Sequence, residues 1–144
     1  FLACGFDKVT LLVLWRDFDS DGIRVTTARL NEIRDQVASQ FPLARVELEV
    51  KTSYKNMYVK LARNPKVIEY ALEATRRAGI QPKTQIIRGG TDGAKLCFMG
   101  LPTPNIFTGG HNFHSKQEWI SVQDMEKTVA TLVNLVQVWV EKSL

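Results

Sequence analysis

Apolar and polar positions change rhythm several times along the chain, and each rhythm predicts a different element. From Lys8 to Phe18 the pattern reads as a strand, with Val9, Leu11, Val13 and Trp15 on one face. Leu12 and Leu14 make the other face apolar too, so this strand is expected to be central and partly covered on both sides. Asp19 to Gly22 supplies turn chemistry. A helical spacing then takes over: Leu30, Ile33, Val37 and Phe41 share one face of a helix running to about Gln40, and Pro42 ends it. From Arg45 to Lys51 strict alternation returns, with Val46, Leu48 and Val50 inward and Glu47, Glu49 and Lys51 outward. That is the mark of a half-exposed antiparallel strand. Strand, helix, strand suits a small sheet with helices on one side.

Asn64-Pro65 changes the organisation. Asn64 is a good N-cap and Pro65 fits the first helical turn. Val67, Ile68, Ala71, Leu72 and Thr75 make the inner face of the predicted helix, which Gly79 closes. Lys83 to Ile87 predicts a short strand leading into a Gly-rich turn, and Thr91 caps a short helix through Met99. A Pro-bounded loop, Leu101 to Pro104, and a strand from Asn105 to Thr108 follow. In the last helix Ser121 and Asp124 form a capping box, and Met125, Val129, Leu132, Val133, Val136 and Val140 make the expected buried stripe. Helices alternating with strands predict an α/β layer here, against an antiparallel α+β layer before it. The organisation changes near Leu61 to Asn64, which divides the chain into residues 1–63 and 64–144. There is no internal repeat or low-complexity tract.

Composition narrows the class. With 144 residues the chain is long enough for one domain or for pieces of two, and 44% hydrophobic with 24% charged residues is ordinary for a soluble globular protein. The most apolar stretch, Val9 to Trp15, falls far short of the roughly 18 residues a membrane span needs. No basic region precedes an apolar one at the start, so no signal peptide is read, and a first residue Phe1 reads as a cut piece of a longer chain. The net charge of +4 is mild, and bases alternate with acids, as from Glu69 to Arg77, which argues against nucleic acid. Cys4 and Cys97 are far apart and lack ligand spacing; they read as reduced core residues of a cytoplasmic protein.

Chemistry concentrates between Arg88 and His114. Glycines there (Gly89, Gly90, Gly93, Gly109, Gly110) allow backbone to approach a ligand closely. Arg88 beside a predicted helix start offers a planar bidentate donor next to free N–H groups, which suits a carboxylate or phosphate. The same turn is also read structurally, with Arg88 pairing to Asp92. It lacks the Lys-Ser/Thr ending of a P-loop and the spacing of a dinucleotide fingerprint. His111 and His114 are the two histidines of the chain. Either binds a metal or both are loop residues, because a zinc site wants three or four donors and no second cluster is present. Asn56, in Tyr54-Lys55-Asn56-Met57, reads as a donor to a substrate carbonyl or carboxylate, or as an ordinary turn residue.

From about Lys8 onward these pieces follow one another in a familiar order: Arg16-Asp17-Phe18-Asp19, Tyr54 to Met57, Arg88-Gly89-Gly90-Thr91-Asp92-Gly93-Ala94, Phe98-Met99-Gly100-Leu101-Pro102, Asn105 to Gly110, Asn112-Phe113-His114, and Met125-Glu126-Lys127. In order and spacing the series resembles the tripeptide-aminopeptidase branch of the two-zinc peptidase and deacylase family. The resemblance covers nearly the whole chain. It implies a catalytic domain holding two zinc ions, with an inserted ferredoxin-like lid domain that mediates dimerisation. Residues 1–63 would be the later part of that lid and 64–144 the C-terminal part of the catalytic domain. Carried over by position, His114 matches the final zinc ligand, Arg88 the group that grips the substrate's C-terminal carboxylate, and Asn56 the lid residue that reaches the substrate. His111 takes no role, and Lys55 departs from a Tyr common among relatives.

The resemblance also shows what this sequence lacks: the family's His-x-Asp metal motif, its bridging Asp, its Glu-Glu pair and its lid His. One His cannot hold two metals. The expectation is therefore a fragment, inert alone, of a homodimeric zinc aminopeptidase acting on tripeptides. The alternatives are a non-catalytic dimerisation or peptide-binding module, and a related dipeptidase or deacylase.

Overall fold

A computed structural model describes residues 2–5, 7–87 and 89–144. In chain order the elements are β1 (Leu2–Cys4), β2 (Val9–Leu11), α1 (Ser20–Gln40), α2 (Tyr58–Leu61), α3 (Pro65–Arg77), α4 (Asp92–Phe98), β3 (Gly110–His111), β4 (Trp119–Ile120) and α5 (Val122–Ser143). The class is mixed α/β, mostly helical, with two small antiparallel sheets. Two compact units divide it, Phe1–Asn56 and Met57–Leu144. The division falls ahead of the 61–64 stretch because α2 packs with α3 and α4 in the second unit.

In the first unit β1 and β2 form a hairpin, with Leu2 opposite Leu11 and Cys4 opposite Val9. Asp19 starts α1 as its N-cap: extended itself, it accepts the Asp21 N–H on its side-chain oxygen at 3.1 Å. The predicted helix is there, to the residue at its end. The two long predicted strands are not. Of Lys8 to Phe18, Val9 to Leu11 pairs, and Arg45 to Lys51 makes no ladder among the described residues. Its alternation survives in part as side-chain rhythm, with Val46 and Leu48 half-buried and Glu47 and Glu49 exposed, but Val50, expected inward, is exposed. A strand needs a neighbour to take its N–H and C=O groups, and β1 is too short to serve the whole of 8–18. Leu11, Leu12 and Leu14 stay exposed, so the expected cover on both faces is not supplied within this unit.

The second unit is built on α3 packed against α5. Ala74 of α3 and Thr131 and Val138 of α5 are fully buried. Tyr70 meets Trp139 edge to face, ring centroids 4.7 Å apart. At the rim the Arg77 guanidinium binds both carboxylate oxygens of Glu141 at 2.8 and 2.9 Å and reaches Glu73 at 3.1 Å. Lys127 donates to the Ala78 carbonyl at 2.8 Å, satisfying an acceptor at the C-terminus of α3. That terminus closes with Ile80 N–H on the Thr75 carbonyl and Gly79 N–H on the Arg76 carbonyl, a Schellman ending. Asn64 stands at the N-cap of α3, but its side chain donates to the Lys60 carbonyl instead of capping.

The stripe expected to be buried on α5 is the exposed one: Met125, Val129, Leu132, Val133, Val136 and Val140 all face outward. The face turned to α3 carries Trp139 against Tyr70 and Glu141 against Arg77, and the fully buried residues of α5 are Thr131 and Val138. The buried Thr131 costs little because its hydroxyl donates to its own helix, to the Lys127 carbonyl at 2.9 Å. The predicted strands at 83–87 and 105–108 are unpaired among the described residues, with Ile86 and Ile87 exposed. No described helix is long and apolar enough to cross a membrane.

Candidate functional site

His114 sits in the loop between β3 and β4, and the sequence shapes that loop closely. Its stem is the cross-strand pair His111 and Trp119, whose rings stack 4.3 Å apart at 13°. The stem is anchored to the start of α5. Thr128 donates from its hydroxyl to the Thr108 carbonyl at 3.2 Å. Gly109 has φ +81, and a Cβ on it would fall 2.3 Å from the Cβ of Asp124. The glycine pair thus allows close approach, but to the chain's own α5 and, at Gly110, to the Phe113 ring.

Asn112 (φ 55) and His114 (φ 65) are both left-handed, a conformation that costs a residue with a Cβ roughly 1–2 kcal/mol. Bonds across the loop offset that cost. The Asn112 amide donates to the Gln117 carbonyl at 3.3 Å, Ser115 N–H to the Asn112 carbonyl at 3.2 Å, and Gln117 N–H to the Ser115 hydroxyl at 3.1 Å. The His114 N–H donates to Glu118 Oε2 at 3.2 Å. His114 itself is exposed. Glu118 and the side chain of Asn112 are functional-loop residues that the structure adds, and no sequence pattern marks either.

The Arg88 turn is only partly visible, since Arg88 lies outside the described residues. After it, Thr91 takes the N-cap position of α4 with extended backbone. Its hydroxyl oxygen is buried and meets no hydrogen-bond partner among the described residues. Gly93 is packed beside the Thr103 carbonyl and the Asn105 side-chain oxygen. Asp92, a candidate partner of Arg88, pairs with Lys95 at 3.4 Å. Cys97 is buried, its sulfur accepting the Thr103 N–H at 3.1 Å, in keeping with a reduced core thiol. Cys4, by contrast, is exposed.

Asn56 closes the first unit, its amide donating to the Phe18 carbonyl at 2.8 Å. It ties the end of the chain's first apolar run to the Tyr54 to Met57 turn. Asn56 and His114 therefore belong to different units. As to metal, no three His, Cys, Asp or Glu side chains gather among the described residues. His114 fits a zinc ion as one donor. The described residues do not complete a site, and no hydrolytic step follows from them alone.

Residues 4–138 match the model of peptidase family M20/M25/M40. Among curated proteins the chain is similar to Peptidase T of Clostridium perfringens (strain SM101 / Type A), 43% identical over 136 residues, which is 94% of this chain and 34% of that protein. Peptidase T of Aeromonas salmonicida (strain A449) is 48% identical over 131 residues, 91% of this chain and 32% of that protein. Peptidase T of Escherichia fergusonii is 40% identical over 132 residues, with 91% and 32% covered. The chain spans about a third of the length of the curated relatives it matches.

Proposed function

The chain belongs to peptidase family M20/M25/M40, and on that premise we propose that it is the C-terminal part of a zinc-dependent aminopeptidase that releases the N-terminal residue of tripeptides. One observation carries the reading: relatives named Peptidase T align over nine-tenths of this chain, while the chain aligns over a third of them. The fragment is inert alone, because His114 is one donor and the remaining donors and the general base lie outside it. The parent is cytoplasmic and homodimeric, with residues 1–63 in the ferredoxin-like lid and 64–144 in the catalytic domain. The exposed apolar residues of α5 and, in the other unit, those of 9–14 each support a larger assembly, since large apolar surface is normally covered.

The roles divide by residue. Arg88 holds the free carboxylate of the peptide as a bidentate fork, which sets the distance from the C-terminus to the scissile bond. Asn56 reaches the peptide from the lid. The same amide donates to the Phe18 carbonyl, which fixes its place in the turn. His114 presents its imidazole to the metal from a pre-shaped loop. Zinc bound there would polarise the peptide carbonyl and make water a nucleophile at neutral pH.

The test compares this chain with the longer protein that carries it, on free and C-amidated tripeptides. The chain alone should show no hydrolysis. In the longer protein Arg88→Lys should cost roughly 2–4 kcal/mol in kcat/KM on free tripeptides and far less on amidated ones, since a point charge cannot reproduce the fork. His114→Ala should impair both substrates alike. Equal losses on both substrates for Arg88→Lys would return Arg88 to a structural turn, and hydrolysis by the chain alone would end the fragment reading. A non-catalytic dimerisation or peptide-binding module is the second reading, favoured by the same exposed apolar residues. A longer protein that binds tripeptides without cleaving them would establish it.

A further inference from the structure

We propose that Glu118 is a positioning residue: it holds the His114 backbone left-handed and so fixes the direction in which the imidazole leaves the loop. The inference rests on the reading of His114 as a metal donor and adds to it a residue that acts through that donor.

The left-handed region is open to glycine at no steric cost, but position 114 must carry an imidazole. A His at φ 65 therefore has to be held there by something else. Several bonds close the loop: Asn112 to the Gln117 carbonyl, Ser115 N–H to the Asn112 carbonyl, and the His111–Trp119 stack at its base. One of them lands on His114 itself, the N–H donated to Glu118 Oε2 at 3.2 Å. The acceptor is a carboxylate, so the bond is charge-assisted. Glu118 is placed for it by its own N–H, which donates to the Ser115 carbonyl at 3.3 Å and turns the chain back under His114. If the bond is lost, 114 can relax to negative φ, which swings Cβ and the ring to another side of the loop. A donor with one direction lowers the ordering cost of metal binding when other donors converge on the same ion.

Two measurements test this. In the 144-residue chain, a strong intraresidue HN–Hα NOE at His114 reports positive φ without any metal. Wild type and Glu118→Gln should both show it, because the amide carbonyl still accepts the N–H; Glu118→Ala should lose it. The Gly110–Ile120 cross-strand NOEs serve as the folding control. A Glu118→Ala chain that keeps the His114 NOE overturns the proposal. In the longer protein, zinc affinity by chelator competition should fall about tenfold or more in Glu118→Ala, as when outer-shell partners of metal ligands are removed, with Glu118→Gln staying near wild type. Equal losses in Gln and Ala would make Glu118 a charged donor in its own right and overturn the positioning role. If His114→Ala leaves zinc affinity unchanged, the metal reading of His114 falls, and the NOE comparison alone decides whether Glu118 sets its conformation.

Discussion

α1 and α5 are almost equal in length, 21 and 22 residues, and each starts at a side-chain cap, Asp19 and Ser121. Their fates differ. None of the described residues of α1 is buried, and its charged side chains are tied by exposed pairs such as Arg29–Glu32. Such pairs contribute little stability. α5 has a helix to lie on, buries Thr131 and Val138 against α3, and still exposes a second apolar face. Local signals make both helices; packing distinguishes them. The first unit is thus held by a cap, a short hairpin and the Asn56 tie, the second by a helix interface.

The sharpest way to break that contrast is a charge on an apolar position of each helix. Val138→Asp, at a fully buried site, should destabilise the second unit by about 3–5 kcal/mol, the scale of an uncompensated buried charge. Ile33→Asp on α1, where Ile33 is 42% exposed, should cost about 0.5 kcal/mol or little more. Denaturant unfolding with hydrogen exchange read per unit decides this. A large loss in Ile33→Asp would mean that α1 is covered in solution and that the contrast is false.

Legibility in the sequence follows the same division. Helix ends were largely readable, because a cap needs only neighbours: Pro65, Ser121 and the Gly79 ending stand where the residues placed them, whereas Asp19, read as a turn residue, is the N-cap of α1 and Asn64, read as a cap, makes no side-chain cap bond. Strands were not, because 8–18 and 45–51 need pairing groups from elsewhere, and alternation records which face is apolar rather than whether a neighbour arrives. The inner face of α5 was misread for a different reason. Thr131 looks polar in a pattern but satisfies its hydroxyl on its own helix, so it is fully buried while the valine-rich face is left outward. Of the candidate site, resemblance supplied Arg88, Asn56 and His114. Glu118 needed the loop's geometry, since a carboxylate on a neighbour's N–H leaves no periodic trace.

Backbone geometry offers smaller tests. Gly109→Ala meets both a positive φ and the Asp124 Cβ at 2.3 Å, and should cost about 1–3 kcal/mol. Gly22→Ala in the first unit meets the Asp17 carboxylate, a side chain that can swing aside by giving up the Asp19 N–H. Its cost should stay below about 1 kcal/mol. Thermal unfolding of the two variants ranks them, and the reverse order would show that the first unit is the stiffer one. Removing either cap, Asp19→Ala or Ser121→Ala, should cost about 1 kcal/mol. Hydrogen exchange should localise that loss to the first turn of α1 or α5, because a cap is equally local whether or not its helix is packed.

The smallest effect belongs to the Arg77 clasp between α3 and α5. The Arg77 guanidinium bonded to Glu141 and Glu73 holds both carboxyls below the ordinary carboxylate range, with burial opposing it in each case. Arg77 is correspondingly raised. A carboxyl with a depressed folded pKa binds fewer protons than it does in the unfolded chain. Its contribution is therefore present above the unfolded value and is lost as pH falls through the folded one. The groups are largely at the surface, so solvent and salt weaken the pair. The second unit should lose a little stability in acid, below the ordinary carboxylate range, and nothing between neutral pH and the start of that range. Arg77→Ala should remove most of this acid dependence, and Glu141→Gln part of it, since Glu73 remains. High salt should flatten the wild-type profile toward that of the variants. An unchanged acid profile in Arg77→Ala would show that the clasp adds nothing to the joining of α3 and α5 by their packing, the Tyr70–Trp139 contact and the Lys127 bond.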